Sequence, residues 1–170
     1  MGLFANHSEI RSPKVQTLLR WWLDYRGDGI PDRSQLDPAD MKRLLPHLLL
    51  LDVEHEPFRV RFRLVGTRVQ EATGFNITGR YLDELLPASA DQQWMQYYHQ
   101  AYSTRLPVVG SIAAPTTTGA VFTYEFGLFP LSNGGVSVER FVSIEDYFDL
   151  SVSFAELVEW QEVTPEMRSR

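Results

Sequence analysis

The chain has 170 residues, 44% of them hydrophobic and 22% charged, which fits one domain able to bury about two thirds of its unfolded surface. Lys plus Arg number 16 against 22 Asp plus Glu, a formal charge of −6; this argues against binding driven by phosphate attraction, so nucleic acid is not an expected partner. The absence of cysteine excludes disulfides, zinc thiolates, thiol nucleophiles and cysteinyl flavin or chromophore adducts.

Residues 1–11 read as a flexible tail. No apolar run approaches the ~20 residues of a membrane span. The opening MGLFANHSEIRSPK lacks the basic start and apolar stretch of a signal peptide, so a cytoplasmic location is expected. Ser12-Pro13 pairs a capping residue with a proline at the first helical position. Val15, Leu18, Leu19 and Trp22 then recur at helical spacing, and Gly27 and Gly29 end the helix. Asp37 to Asp40 would open a short helix over 38–45, stopped by Pro46. Leu48 to Val53 reads as a short buried strand. Phe58, Val60, Phe62 and Leu64 alternate with Arg59, Arg61 and Arg63, a strand with one apolar and one cationic face.

Residues 67–73 predict one or two helical turns before Gly74, and Leu82 to Leu86 another short helix. A longer helix over 89–104 carries Trp94, Tyr97, Tyr98 and Tyr102. The period then switches to two, predicting strands over 108–114, 120–131 and 136–144, the last two joined at Ser132-Asn133-Gly134-Gly135. That turn would pair Leu131 with Val136, Phe129 with Val138 and Phe126 with Phe141. Ser153 and Glu156 have capping-box spacing for a terminal helix over 154–161. The expected fold class is α+β: a five-stranded antiparallel sheet with helices packed on one face, plus an N-terminal helix.

This order of elements resembles that of a PAS domain. The stretches Phe58-Arg-Val-Arg-Phe-Arg-Leu-Val-Gly-Thr67 and Thr73-Gly-Phe-Asn-Ile-Thr-Gly-Arg80 are similar to the core of a single-domain PAS subfamily common in alphaproteobacteria. So are Leu19-Arg-Trp-Trp-Leu-Asp-Tyr-Arg-Gly27, Leu45-Pro-His-Leu48 and Phe129-Pro-Leu-Ser-Asn-Gly-Gly135. The resemblance implies a domain over 12–150, with a short helix and tail over 151–170. It implies a sensory or protein-interaction module, often dimeric through its leading helix, with a ligand cavity between sheet and helices. The family has haem, flavin and chromophore branches and no general set of catalytic residues, so a scaffold is implied rather than a ligand.

Candidate ligand-pocket residues are Phe62, Leu64, Phe75, Trp94, Tyr98, His99, Phe122, Tyr124, Phe126 and Phe141. The same aromatic side chains could instead fill the core, since each buries ~150–250 Å². Val15, Leu18, Leu19 and Trp22 are the dimer-interface candidates. His99 stands where a haem-binding relative would place its axial ligand, although a lone helical histidine is more commonly a surface or core residue. No metal site and no catalytic residue is expected: Asp52, Glu54, His55 and Glu56 cluster in a predicted turn, and the adjacent acids Glu145 and Asp146 diverge on a strand. Gly74 to Arg80 falls short of a phosphate loop, which needs Lys and then Ser or Thr after the second glycine.

The arginine face of 59–63, with Glu125 and Arg140, reads as a solvated sheet face or a partner surface. The expected function is signalling through protein contact with a partner or a second copy, gated by a small ligand of unassigned identity. The alternatives are a constitutive interaction module with a filled core, and an enzyme using the same pocket through Tyr98, His99 or Tyr124.

Overall fold

Ser12 Oγ accepts the amide of Val15 at 3.1 Å and Pro13 takes the first helical position, so helix α1 (Pro13–Tyr25) begins where its sequence dictates. The remaining elements of this computed structural model, which describes residues 2–85, 88–148 and 152–158, follow in chain order. Strand β1 (Gly2–Leu3) precedes α1. Strands β2 (Leu48–His55) and β3 (Phe58–Val65) form a hairpin. Helices α2 (Thr67–Thr73) and α3 (Ala88–Thr104) come next, then strands β4 (Val108–Pro115), β5 (Val121–Leu131) and β6 (Arg140–Asp146). All strand pairs are antiparallel, in one sheet of order β1-β4-β5-β6-β2-β3.

The expected antiparallel sheet with helices is present, with six strands rather than five. The sixth is β1, which pairs Gly2 and Leu3 with Ser111 and Gly110. Residues 2–4 therefore run along the sheet edge, a 3-10 turn follows over His7–Glu9, and Ile10 is buried. In place of the helix expected over 38–45 are successive turns that bury Met41 and Leu44, with Pro46 inside a 3-10 turn, Leu45–His47. Of the helix expected over 154–161, the described part is a 3-10 turn, Phe154–Glu156, followed by a bridge from Leu157 to Thr116; positions 159–161 lie outside the described residues, as do Leu86 and Pro87.

Two register features depart from strict alternation. In β3, Leu50 faces Leu64 while Leu51 faces Phe62, leaving Arg63 as an extra residue. Such a bulge moves every later side chain to the opposite face: Phe62 and Val65 point inward, and Leu64 is 46% exposed. In the last hairpin Leu131 pairs with Arg140, Pro130 with Phe141 and Phe129 with Val142, so Phe126 lies opposite Glu145 and not Phe141. The tight turn is replaced by a wide loop because Asp32 captures it. Asp32 Oδ2 accepts the Gly134 amide at 2.5 Å and the Ser132 hydroxyl at 3.1 Å. Bonds from Ser34, Gly134 and Ser132 hold its carboxyl well below the ordinary range.

The two faces of the sheet carry separate apolar clusters. Helices α2 and α3 cover one. The other, expected as a solvated face or a partner surface, is covered by α1, Leu36, Met41 and Leu44. Gly127 allows this close cover, since a Cβ there would lie 2.5 Å from the Phe129 ring. Trp22 Nε1 donates to the Pro130 carbonyl at 2.8 Å. At the start of α1, Glu125 is fully buried. It accepts the amides of Arg11 and Ser12 at 3.0 and 2.8 Å, and Arg11 Nε at 3.2 Å. Its register partner Asp146 accepts the Ser12 hydroxyl at 2.7 Å and Lys14 Nζ at 3.0 Å. These two carboxylates meet the positive end of the helix.

Ser12→Ala removes both the cap and the donor to Asp146. It should destabilise the chain by about 1–2 kcal/mol in urea unfolding; a change within error would show that the clamp does not hold α1.

Candidate functional site

Alternation along β6 sends Phe141, Ser143 and Glu145 to the α3 side and Val142, Ile144 and Asp146 to the α1 side. On the α3 side a cavity of about 50 Å³ remains, lined by Leu49, Phe62, Val69, Thr73, Ile77, Leu82, Leu85, Trp94, Tyr98, Tyr124, Glu145 and Phe154. It is small beside the ~300–1,000 Å³ of typical ligand pockets. The aromatic side chains therefore do most of the filling and leave a modest void.

Of the pocket candidates, Phe62, Trp94, Tyr98 and Tyr124 line this cavity. Phe126 and Phe141 lie one layer back: Phe126 contacts Trp94 with centroids 4.8 Å apart, and Phe141 contacts Tyr98 at 5.1 Å. Phe122 packs with Tyr124, Tyr147 and Phe154. Phe75 is partly buried against the same cluster. Leu64 does not belong to the site, because the bulge at Arg63 turns it outward. His99 does not either: it is exposed, its Nδ1 lies 3.3 Å from Ser103 Oγ, and its ring meets the edge of Phe58. It borders an open groove of about 550 Å³ with Phe58, Met95, Gln92, Gln96 and Gln100.

The dimer-interface candidates Val15, Leu18, Leu19 and Trp22 are buried on their own chain's sheet, so that arc is not free to meet a second copy. The amphipathic helix needed an apolar partner, and the outer sheet face supplies it.

Other polar residues singled out in the sequence go separate ways. Asp52 faces Arg61, Arg63 and Arg140; Glu54 accepts from Tyr81; His55 meets Tyr102 and Glu139. Arg59 forks onto Asp83 and lies 3.7 Å over the Tyr81 ring. The arginine stripe is thus paired rather than free. Gly74 to Arg80 is a turn tied to β3, with Gly79 N donating to Phe62 O at 2.6 Å.

Glu145 is the charged cavity-lining residue absent from the pocket candidates read from the sequence. The strand expected over 136–144 stopped one residue short of it; extending the Phe141, Ser143 alternation by one step would have placed it inside. Tyr147 donates its hydroxyl to Glu145 Oε2, and His47 Nδ1 lies 3.0 Å from the Glu145 carbonyl oxygen. Burial pushes the Glu145 carboxyl up to about 7, against the pull of the Tyr147 bond. Burial and the Glu145 charge together push Tyr147 upward. Tyr98, whose hydroxyl lies 3.1 Å from Ser143 Oγ, is also raised by burial. On the opposite face burial works against the Asp146 charge too, but the bonds from Ser12 and Lys14 outweigh it and lower its carboxyl.

Two predictions follow from this geometry. The folded chain holds the Glu145 proton more tightly than the unfolded chain, so that contribution is complete below about pH 4.5 and is lost as pH rises through about 7. Glu145→Gln should therefore stabilise the fold at pH 8 by about 1–2 kcal/mol, allowing for the partial exposure of this side chain, and change little at pH 4.5. Equal effects at both pH values in urea unfolding would contradict this assignment. Phe126→Ala, at a fully buried ring beneath the cavity, should cost about 3–5 kcal/mol; a loss below 1 kcal/mol would mean the site is looser than its packing indicates.

Chains of solved structure are similar to this one at low identity. An RNA-binding Light-Oxygen-Voltage receptor is 21% identical over 70% of this chain and 36% of its own length, with TM-score 0.48. A PAS domain from Colwellia psychrerythraea is 9% identical over 65% of this chain and 97% of its own, with TM-score 0.45. VqmA bound to DPO is 15% identical over 68% of this chain and 58% of its own, with TM-score 0.50. The chain thus spans about a third of the length of the first of these. No curated protein matches it in sequence. Among the described residues no helix is long and apolar enough to cross a membrane. The family model described as PAS domain matches residues 10–144, and the chain belongs to the PAS domain family.

Proposed function

We propose that this chain is a sensory or regulatory module that binds a small molecule in the cavity between its sheet and helices α2 and α3 and reports it through protein contact. The observation that carries this reading is the single carboxylate, Glu145, in an otherwise mostly apolar cavity. Pockets of this composition, with few polar groups that fix orientation, are typical of small-molecule sites.

The output runs through β6. Glu145 faces the cavity, while its neighbour Asp146 holds Ser12 and Lys14 at the start of α1. A ligand that binds one setting of the strand better than another shifts the population accordingly. The partner, a second copy or another protein, meets surface outside the buried arc of α1, where Leu23 and Tyr25 remain exposed. The haem and flavin branches of the family do not fit this cavity. His99 lies outside it, there is no cysteine for an adduct, and about 50 Å³ is too little room.

A second reading, in which the pocket performs chemistry, is favoured by the near-neutral titration of Glu145, which suits a general acid or base.

Native mass spectrometry of gently purified protein tests the first reading. The expected spectrum carries an excess mass matching a small molecule, and that mass is lost in Ile77→Phe, which fills the void. A ligand-free spectrum, with no small molecule from a metabolite extract shifting the melting temperature, would favour a constitutive interaction module with a filled core.

A further inference from the structure

The small-molecule reading leaves open what the cavity selects, and its wall narrows the choice. Leu49, Phe62, Ile77 and Leu85 offer no polar atom beyond the backbone. Thr73 spends its hydroxyl on the Val69 carbonyl at 3.0 Å, Tyr98 is engaged with Ser143, and Tyr124 and Trp94 add a phenol and an indole N–H, both hydrogen-bond donors, to the wall. Glu145 differs. Tyr147 satisfies its Oε2, no hydrogen bond among the described residues reaches Oε1, and the side chain is not fully buried.

We propose that the cavity selects a small nitrogen base, a ring or amidine of about five heavy atoms that presents an N–H to Glu145 Oε1.

Three physical arguments converge on this class, and all rest on the cavity being a binding site. The first is size. The void holds about 50 Å³, and at ~10–15 Å³ for each water-sized occupant that is room for only a handful of atoms. The second is polarity. A hydrocarbon would leave Oε1 without a partner, which costs free energy in a desolvated site. An anion would face the carboxylate directly. A basic N–H satisfies Oε1 and shares a proton with a carboxyl that titrates near neutrality. The third is the Trp94 ring in the wall, since aromatic rings attract cations more than they attract neutral or anionic groups.

The full-length chain can be titrated with three five-membered rings of matched size: imidazole, a basic N–H donor; pyrrole, a neutral N–H donor; and furan, which has no donor. Binding is read by calorimetry and by chemical-shift changes of Glu145 and Trp94 at pH 7. Imidazole is expected to bind at least tenfold tighter than furan, with pyrrole between them. In Glu145→Gln, imidazole should fall to the level of pyrrole. Equal binding of imidazole and furan, or unchanged imidazole affinity in Glu145→Gln, would overturn the nitrogen-base class while leaving a small-molecule cavity in place. Binding by none of the three would overturn the proposal. The separate metabolite-extract experiment decides whether the sensory reading falls with it. The ring series uses the unaltered chain, so that arm of the test stands even where Glu145→Gln fails to fold.

Discussion

Strand β6 has β5 on one side and β2 on the other, and helices lie over both of its faces. Most of its side chains are buried between layers, so alternation sorts its residues. Phe141, Ser143 and Glu145 belong to the cavity layer; Val142, Ile144 and Asp146 belong to the α1 layer. A change felt by Glu145 is one peptide unit from the residue that holds the start of the leading helix.

The two neighbouring acids show how far environment outweighs residue type. Asp146 lies under a helix N-terminus with a hydroxyl and an ammonium on it, and its charge is favoured despite burial. Glu145 has one phenol for company, and burial dominates. Glu125 repeats the first solution more completely: wholly buried, it collects two backbone amides and a guanidinium. Buried carboxylates with full sets of donors are structural fasteners. The one short of donors, in a cavity, is the one on which the proposed ligand response rests.

The cavity is what remains when large rings cannot tile a curved sheet perfectly. Trp94, Tyr97 and Phe126 pack edge to face and offset, and Phe122, Tyr124, Tyr147 and Phe154 do the same farther along β5. Quadrupole preferences keep such rings from stacking flush. The filled core and the ligand cavity, posed as rivals from composition, are here neighbours. Most of the aromatic side chains fill, and a small void is left near Glu145.

Local chemistry in the sequence was enough to determine much of this protein. Ser12-Pro13 started α1, Gly74 in a left-handed turn ended α2, period two marked the strands, and the order of elements pointed to the family. Four of the ten pocket candidates line the cavity because they sat on the apolar faces of strands and of a long helix. Tertiary structure decided the rest. A bulge at Arg63 reversed Leu64, since register depends on pairing with β2 and not on the strand itself. Asp32, about a hundred residues away in sequence, widened the last hairpin. The apolar arc of α1 could have met a second copy or its own sheet; only folding showed that the outer face of β5 and β6 was waiting for it. Glu145 was readable as a strand-end acid but not as a cavity-lining one, because what a residue faces is set by what packs across from it, and no local pattern carries that.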